Sequence, residues 1–189
     1  MTVQQLNQAK HISLEEFLSI PETKPASEYI EGEISQKIMP QGEHSIIQVT
    51  LCEHINLVAR QQKIALALPE LRCTFNNRSI VPDIAVFAWE RIPRKDNGSI
   101  ENRFLIPPDW IIEILSSEQS PNRTIDKITF CLSRGTKLGW FIDTDDRSVM
   151  VLENDKLPVI LRDGKPIPVL DVLGDWQISS IDIFNWLQI

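Results

Sequence analysis

Trp110-Ile111-Ile112-Glu113-Ile114-Leu115, then a segment in which Ile125, Ile128 and Leu132 line one helix face, then Leu138-Gly139-Trp140-Phe141-Ile142-Asp143: this run decides the fold. The first and last pieces are apolar at successive positions, the pattern of strands covered on both faces. Gly135 closes the helix between them. Ser116-Ser117-Glu118-Gln119-Ser120-Pro121 is a polar break before it. A strand–helix–strand unit of this kind predicts a mixed β-sheet with helices packed on it, hence an α/β fold.

Working outward, the spacing predicts further elements on either side. Asp145-Asp146 turns into a strand over Ser148–Glu153, and a hairpin is expected around Asp163-Gly164, followed by a short helix near Ser180 to Leu187. Upstream, Arg91 to Pro108 reads as a loop, broken by Pro93, Asn97-Gly98 and Pro107-Pro108. Before it lie strand-like runs at Ile64–Leu68, Leu71–Phe75 and Ser79–Ala88, with Asn76-Asn77 as a turn. Ile47, Leu51, Ile55 and Val58 mark an amphipathic helix from about Glu43 to Gln62. Tyr29–Ile34 reads as a hairpin over Glu31-Gly32, its return strand running through Ile38 to Met39. Ser13 with Glu16 forms a capping box for a short helix that Pro21 ends.

Composition bounds the class. The 189 residues suit one domain with a substantial core, and 42% hydrophobic with 24% charged residues is the balance of a globular chain. No apolar run is long enough to span a membrane, and Met1–Asn7 is polar, without the apolar centre of a secretion signal; a cytoplasmic location is expected. Cys52, Cys73 and Cys131 are odd in number and far apart, which points to buried small hydrophobes rather than a disulfide framework or zinc site. His11, His44 and His54 lack metal-ligand spacing; they are read as surface or capping residues. The formal net charge of −7 counts against indiscriminate nucleic-acid binding, though not against a local basic patch.

Three residues then stand out. Glu113 lies within an apolar strand, Asp83 follows Pro82 in Ser79-Ile80-Val81-Pro82-Asp83-Ile84, and Lys127 sits on the helix of the opening motif. A carboxylate among apolar strand residues is costly unless paired or bound to a cation. Two on adjacent strands, with a lysine nearby, can converge on one magnesium ion for phosphodiester hydrolysis. Each also has an ordinary reading: a solvated acid at a strand edge, a charge on an exposed sheet face, a solvated helix lysine. Asp126 reads as a surface residue. Arg91, Arg94 and Lys95 are candidates for phosphate contact or a plain solvated loop, and His44 and Glu33 for supporting groups around the acids.

The order of these motifs resembles the PD-(D/E)-x-K nuclease superfamily and, within it, the Uma-two family of bacterial restriction-endonuclease-like proteins. The stretches that carry the resemblance are Glu28–Ile34, His44, Val81–Ala85, Pro107–Ser116, Asp126-Lys127 and Gly139–Asp143. It implies a restriction-endonuclease-like mixed sheet flanked by helices, with extra N-terminal and C-terminal hairpins. The core would span about 26–153, with 1–25 an N-terminal extension and 154–189 a C-terminal hairpin and short helix. It further implies that Asp83, Glu113 and the carbonyl of Ile114 hold Mg2+, with Mn2+ a substitute, and that Lys127 orients the attacking water. DNA would be the substrate and a homodimer the working form. One departure is visible: Leu115 stands where the superfamily pattern has lysine, so Lys127 must reach in from the helix. Two other readings stay open, a degenerate binding or assembly module of the same fold and a glycosidase-type acid–base pair at Asp83 and Glu113.

Overall fold

A computed structural model describes residues 12–116 and 119–188. The expectations for Met1–Asn7 and His11, and the Ser117-Glu118 part of the polar break, lie outside the described residues. Helix α1 (Leu14–Ser19) opens the description; Ser13 accepts from the Glu16 amide and Glu16 reaches back to the Ser13 amide, the expected capping box. Strands β1 (Ser27–Ile30) and β2 (Glu33–Gln36) form the first hairpin over Glu31 and Gly32, at φ 52° and 95°. Both residues of a tight hairpin turn need positive φ, which explains the glycine. The strand β2 stops at Gln36, short of the expected Met39. Its last rung is the Lys37 amide donating to the Ala26 carbonyl, and Pro25 beyond has no N–H to continue.

Helix α2 (Gly42–Ala59) follows, three residues shorter at its end than expected because Lys63 turns into positive φ and the Ile64 amide returns to the Ala59 carbonyl. Then come β3 (Ala65–Pro69), β4 (Cys73–Phe75), β5 (Arg78–Ile80), β6 (Ile84–Ala88) and β7 (Trp110–Leu115). Helix α3 (Pro121–Leu132), β8 (Leu138–Asp143), β9 (Ser148–Glu153), β10 (Val159–Leu161) and α4 (Ser180–Asn185) complete the order.

The architecture is α/β with two sheets rather than one. The larger has the order β10-β9-β8-β7-β6-β3, mixed because β7 and β8 run parallel; the smaller, β2-β1-β5-β4, is antiparallel. The second sheet arises because Asn76 and Asn77, both at positive φ, fold β5 back on β4, and β5 then pairs with β1 instead of joining β6. One face of the large sheet packs against α2, α4 and the segment from Ile167 to Ile178, through Ile47, Leu51, Ile55, Trp110, Trp140 and Phe184. The other packs against α3 and the small sheet, through Phe87, Phe104, Ile111, Ile128 and Phe141. Gly139 makes the α3 contact possible: a Cβ there would lie 2.2 Å from Ile128 Cγ2.

The C-terminal hairpin forms, but one turn earlier than expected. β10 folds back on β9, while beyond Asp163-Gly164 the structure makes only a single bridge, Pro166 to Ser179, because Pro166 and Pro168 cannot donate to a ladder. The three cysteines are free and buried, and burial pushes the Cys73 thiol up to about 12. No helix among the described residues is long and apolar enough to cross a membrane.

Candidate active site

The register of the large sheet brings the two acids together. β6 and β7 pair antiparallel with Ile84 opposite Ile112 and Ala85 opposite Ile111. Carried one step beyond β6, that register sets Asp83 opposite Glu113. Pleat alternation puts Asp83 on the face of Ala85 and Phe87, and Glu113 on the face of Ile111, which is the α3 face in both cases. Lys127 of α3 lies on that face too. All three are buried, at 0%, 2% and 8% exposure, so the solvated readings of Asp83, Glu113 and Lys127 are excluded.

The contacts form one cluster. Lys127 Nζ lies 3.2 Å from Glu113 Oε2 and 2.8 Å from Glu28 Oε1. Glu28 Oε1 also accepts from the Val81 amide at 2.7 Å. Lys37 Nζ donates to Asp83 Oδ1 at 2.6 Å and to the Val81 carbonyl at 2.9 Å. Asp83 Oδ2 accepts from the Ile114 amide at 2.7 Å. His44 Nε2 lies 3.4 Å from Asp83 Oδ1, and its Nδ1 is 3.0 Å from Ser116 Oγ. Gln48 Nε2 donates to the Asp83 carbonyl. Thus Val81 and Asp83 are pinned at their backbones from β1, from the end of β2 and from α2.

Electrostatics follow from burial and count. Three carboxylates, Glu28, Asp83 and Glu113, meet two ammonium groups, Lys37 and Lys127, so with all three acids ionised one negative charge is in excess, which a proton on Glu113 or a bound cation offsets. Burial pushes the Glu113 carboxyl up to about 8 against the pull of Lys127, with Asp83 and Glu28 adding to the rise. Burial also acts to raise Asp83, but Lys37 beside it and the bond from His44 hold it far below the usual carboxylate range. Burial opposes the charge on Lys127, yet Glu113, Glu28 and Asp83 raise it above the ordinary lysine value.

The donor set fits a hard divalent cation. Glu113 Oε1 is buried and has no hydrogen-bond partner among the described residues. Such an orphaned oxygen calls for a cation or water. The Ile114 carbonyl leaves its strand on the same side as the amide that reaches Asp83, so it faces the same space. Among the described residues no group of three or more His, Cys, Asp or Glu side chains is placed to hold a metal ion. Magnesium does not require one, since it binds through one or two carboxylates and completes its shell with water and phosphate.

Several expectations need correction. His44 is not a surface residue: it is buried at the start of α2 and bridges Asp83 to Ser116. Glu33 is exposed and takes no part. Asp126 is a surface residue as read, paired with Arg78. Arg91 pairs with Asp109, and Arg94 bonds the Trp89 carbonyl beneath its own guanidinium, so both are held in place by their own loop. Glu28, Lys37 and Gln48 were given no role from sequence. The available signal was that Glu28 and Lys37 sit on one short hairpin with buried neighbours at Ser27 and Tyr29.

The family model named Uma2, described as "Putative restriction endonuclease", matches residues 14–182. The chain belongs to the Uma2 family. Among solved structures, the crystal structure of "a putative nuclease belonging to DUF820" from Anabaena variabilis ATCC 29413 is 50% identical and superposes with a TM-score of 0.91. The match covers 93% of this chain and 99% of that one, so the two share one fold over nearly their whole lengths. No curated protein matches the chain. In this Uma2 protein the cluster of Asp83, Glu113 and Lys127 lies well inside the matched span.

Proposed function

We propose that this Uma2 chain is a Mg2+-dependent endonuclease that hydrolyses phosphodiester bonds of DNA, with Mn2+ able to replace Mg2+. The observation that carries the reading is the orphaned, buried Glu113 Oε1 beside Asp83, in a cluster whose acids, once ionised, outnumber its ammonium groups by one. Asp83, Glu113 and the Ile114 carbonyl would hold the ion, which would supply Lewis acidity at the scissile phosphate.

The chain's own residues do the rest. Lys127, fixed between Glu28 and Glu113, orients the attacking water and offers positive charge to the phosphate as its negative charge grows. Glu28 keeps Lys127 extended toward Glu113, standing in for the strand lysine that Leu115 replaces. Ile114 N–H, Gln48 and His44 hold Asp83 rigid, which keeps both acids at one separation. A homodimer suits the two strands of a duplex.

The test is cleavage of supercoiled plasmid with Mg2+ or Mn2+ by the wild type and by Glu113→Ala. The expected loss is roughly 10³-fold; equal cleavage by both proteins ends the proposal. Leu115 favours a second reading, a non-catalytic module of the same fold, and calorimetry separates the two. The module binds no Mg2+, whereas the nuclease binds it and loses it with Asp83→Asn.

A further inference from the structure

The cluster contains a cation that the nuclease reading does not use. Lys37 follows β2, its side chain is 6% exposed, and two of the three donors of its ammonium are spent on Asp83 Oδ1 and the Val81 carbonyl. It therefore sits on one of the two acids that the reading assigns to the metal. Neither Asp83 oxygen is without a partner: Oδ1 faces Lys37 and His44, and Oδ2 accepts from the Ile114 amide. A divalent ion that takes Oδ1, alone or together with Oδ2, must displace one of these partners. The Ile114 amide belongs to the central strand β7 and moves only if the sheet moves. His44 is set into the first turn of α2 and tied to Ser116. Lys37 alone combines a long flexible side chain with a position just past the end of a strand.

Charge gives the same answer. With both lysines turned inward, a divalent ion would leave the buried cluster with one positive charge in excess. With Lys37 turned out, the three positive charges of Lys127 and the ion match the three negative charges of Glu28, Asp83 and Glu113. A buried surplus of either sign is costly, so the exchange is the arrangement in which the loaded site is neutral.

We infer that Lys37 is a resident counter-ion of Asp83 that a divalent metal exchanges for, so that metal loading releases the Lys37 ammonium from the cluster. The inference rests on the metal reading of Asp83 and Glu113 and adds that the chain itself competes with its metal.

The experiment combines two measurements. Calorimetric titration with Mn2+ compares the wild type, Lys37→Met, Lys37→Arg and Lys165→Met, the last removing an exposed lysine that pairs only with Asp163. Exchange predicts that Lys37→Met binds about tenfold tighter than the wild type, that Lys37→Arg binds more weakly because a guanidinium grips a carboxylate with two donors, and that Lys165→Met is unchanged. Lysine-labelled NMR of the wild type then follows the ammonium signals during Mg2+ titration. The Lys37 signal, sheltered at first, loses its protection as metal loads.

If Lys37→Met binds Mn2+ no tighter than the wild type while Glu113→Ala abolishes binding, exchange is wrong and the metal reading stands. If neither the wild type nor Lys37→Met takes up Mn2+, both fall. Should Lys37→Met not fold, Lys37→Arg and the wild-type NMR titration still decide: an unmoved Lys37 signal at saturating Mg2+ overturns the exchange.

Discussion

Two buried acids belong to β7, Asp109 just before it and Glu113 in its second half, and the cations that meet them differ in kind. Asp109, just before the strand, is fully buried. Its Oδ2 accepts from the Ala88 amide at 2.8 Å; its Oδ1, like Glu113 Oε1, has no hydrogen-bond partner among the described residues, but it ion-pairs with Arg91 at 2.8 Å and Lys137 at 3.4 Å. Its backbone carbonyl takes the amides of Lys137 and Leu138, so the residue ties the starts of β7 and β8 to the end of β6. The cations that meet it are 31% and 61% exposed and keep contact with water. Glu113, toward the far end, meets Lys127 at 9% exposure and keeps one oxygen without a partner among the described residues. A structural acid is closed by surface cations and backbone amides. At Glu113 the partner cation is nearly as buried as the acid itself, and that pairing is a more informative sign of function than burial of the acid alone.

The sharpest way to break this contrast is to exchange the roles in a cleavage assay. Glu113→Gln is expected to lower plasmid cleavage by roughly 10³-fold while the protein stays folded by circular dichroism. Asp109→Asn is expected to lower the melting temperature and to leave cleavage within a few-fold when assayed well below that temperature. Full loss of cleavage in folded Asp109→Asn, with Glu113→Gln still active, would reverse the assignment.

A somewhat smaller effect separates the partner cations by stability. Lys127→Met leaves Glu28 and Glu113 buried without their shared cation, for an expected loss of about 3–5 kcal/mol in urea unfolding. Lys137→Met removes a mostly exposed partner that Arg91 can replace, for a loss under about 1 kcal/mol. Similar losses from both would mean that the two ends of β7 do not differ in kind.

How much of this was legible in the chain follows the same division between local and distant signals. The β7–α3–β8 unit could be read because each piece carries its own pattern, and so could the Ser13 and Glu16 cap, whose partners lie within one turn. Asp83, Glu113 and Lys127 stand out because each interrupts or completes a local pattern. Glu28 and Lys37 do not. Their partners lie across two sheets, from Glu28 to Lys127 and from Lys37 to Asp83, and nothing in the sequence around the first hairpin encodes which strand it will meet. The second sheet was missed for the same reason: the choice of β5 to pair with β1 is made by tertiary packing. His44 carries two readings in the sequence, a surface or capping residue and a supporting group around the acids, and only the approach of Ser116 and Asp83 decides for the second.

The smallest effect is also the one that tests the charge count directly. Glu113 has its carboxyl raised by burial from 4.5 to about 8 in the metal-free fold. Between those values the folded protein keeps a proton that the unfolded chain has already lost, so stability falls as pH rises through that window and levels off above it. Asp83 works in the opposite sense: with its carboxyl held low by Lys37 against the cost of burial, its contribution is present above the ordinary value of 3.8 and is lost as pH falls below it. Melting temperature measured in EDTA from pH 5 to 9 should therefore decline for the wild type, and decline less for Glu113→Gln, which cannot ionise. Asp109→Asn should keep the wild-type slope, since it leaves Glu113 untouched. Parallel slopes for the wild type and Glu113→Gln would show that Glu113 does not hold the extra proton of the metal-free cluster, and the distinction between the two acids would then rest on the burial of their partner cations alone.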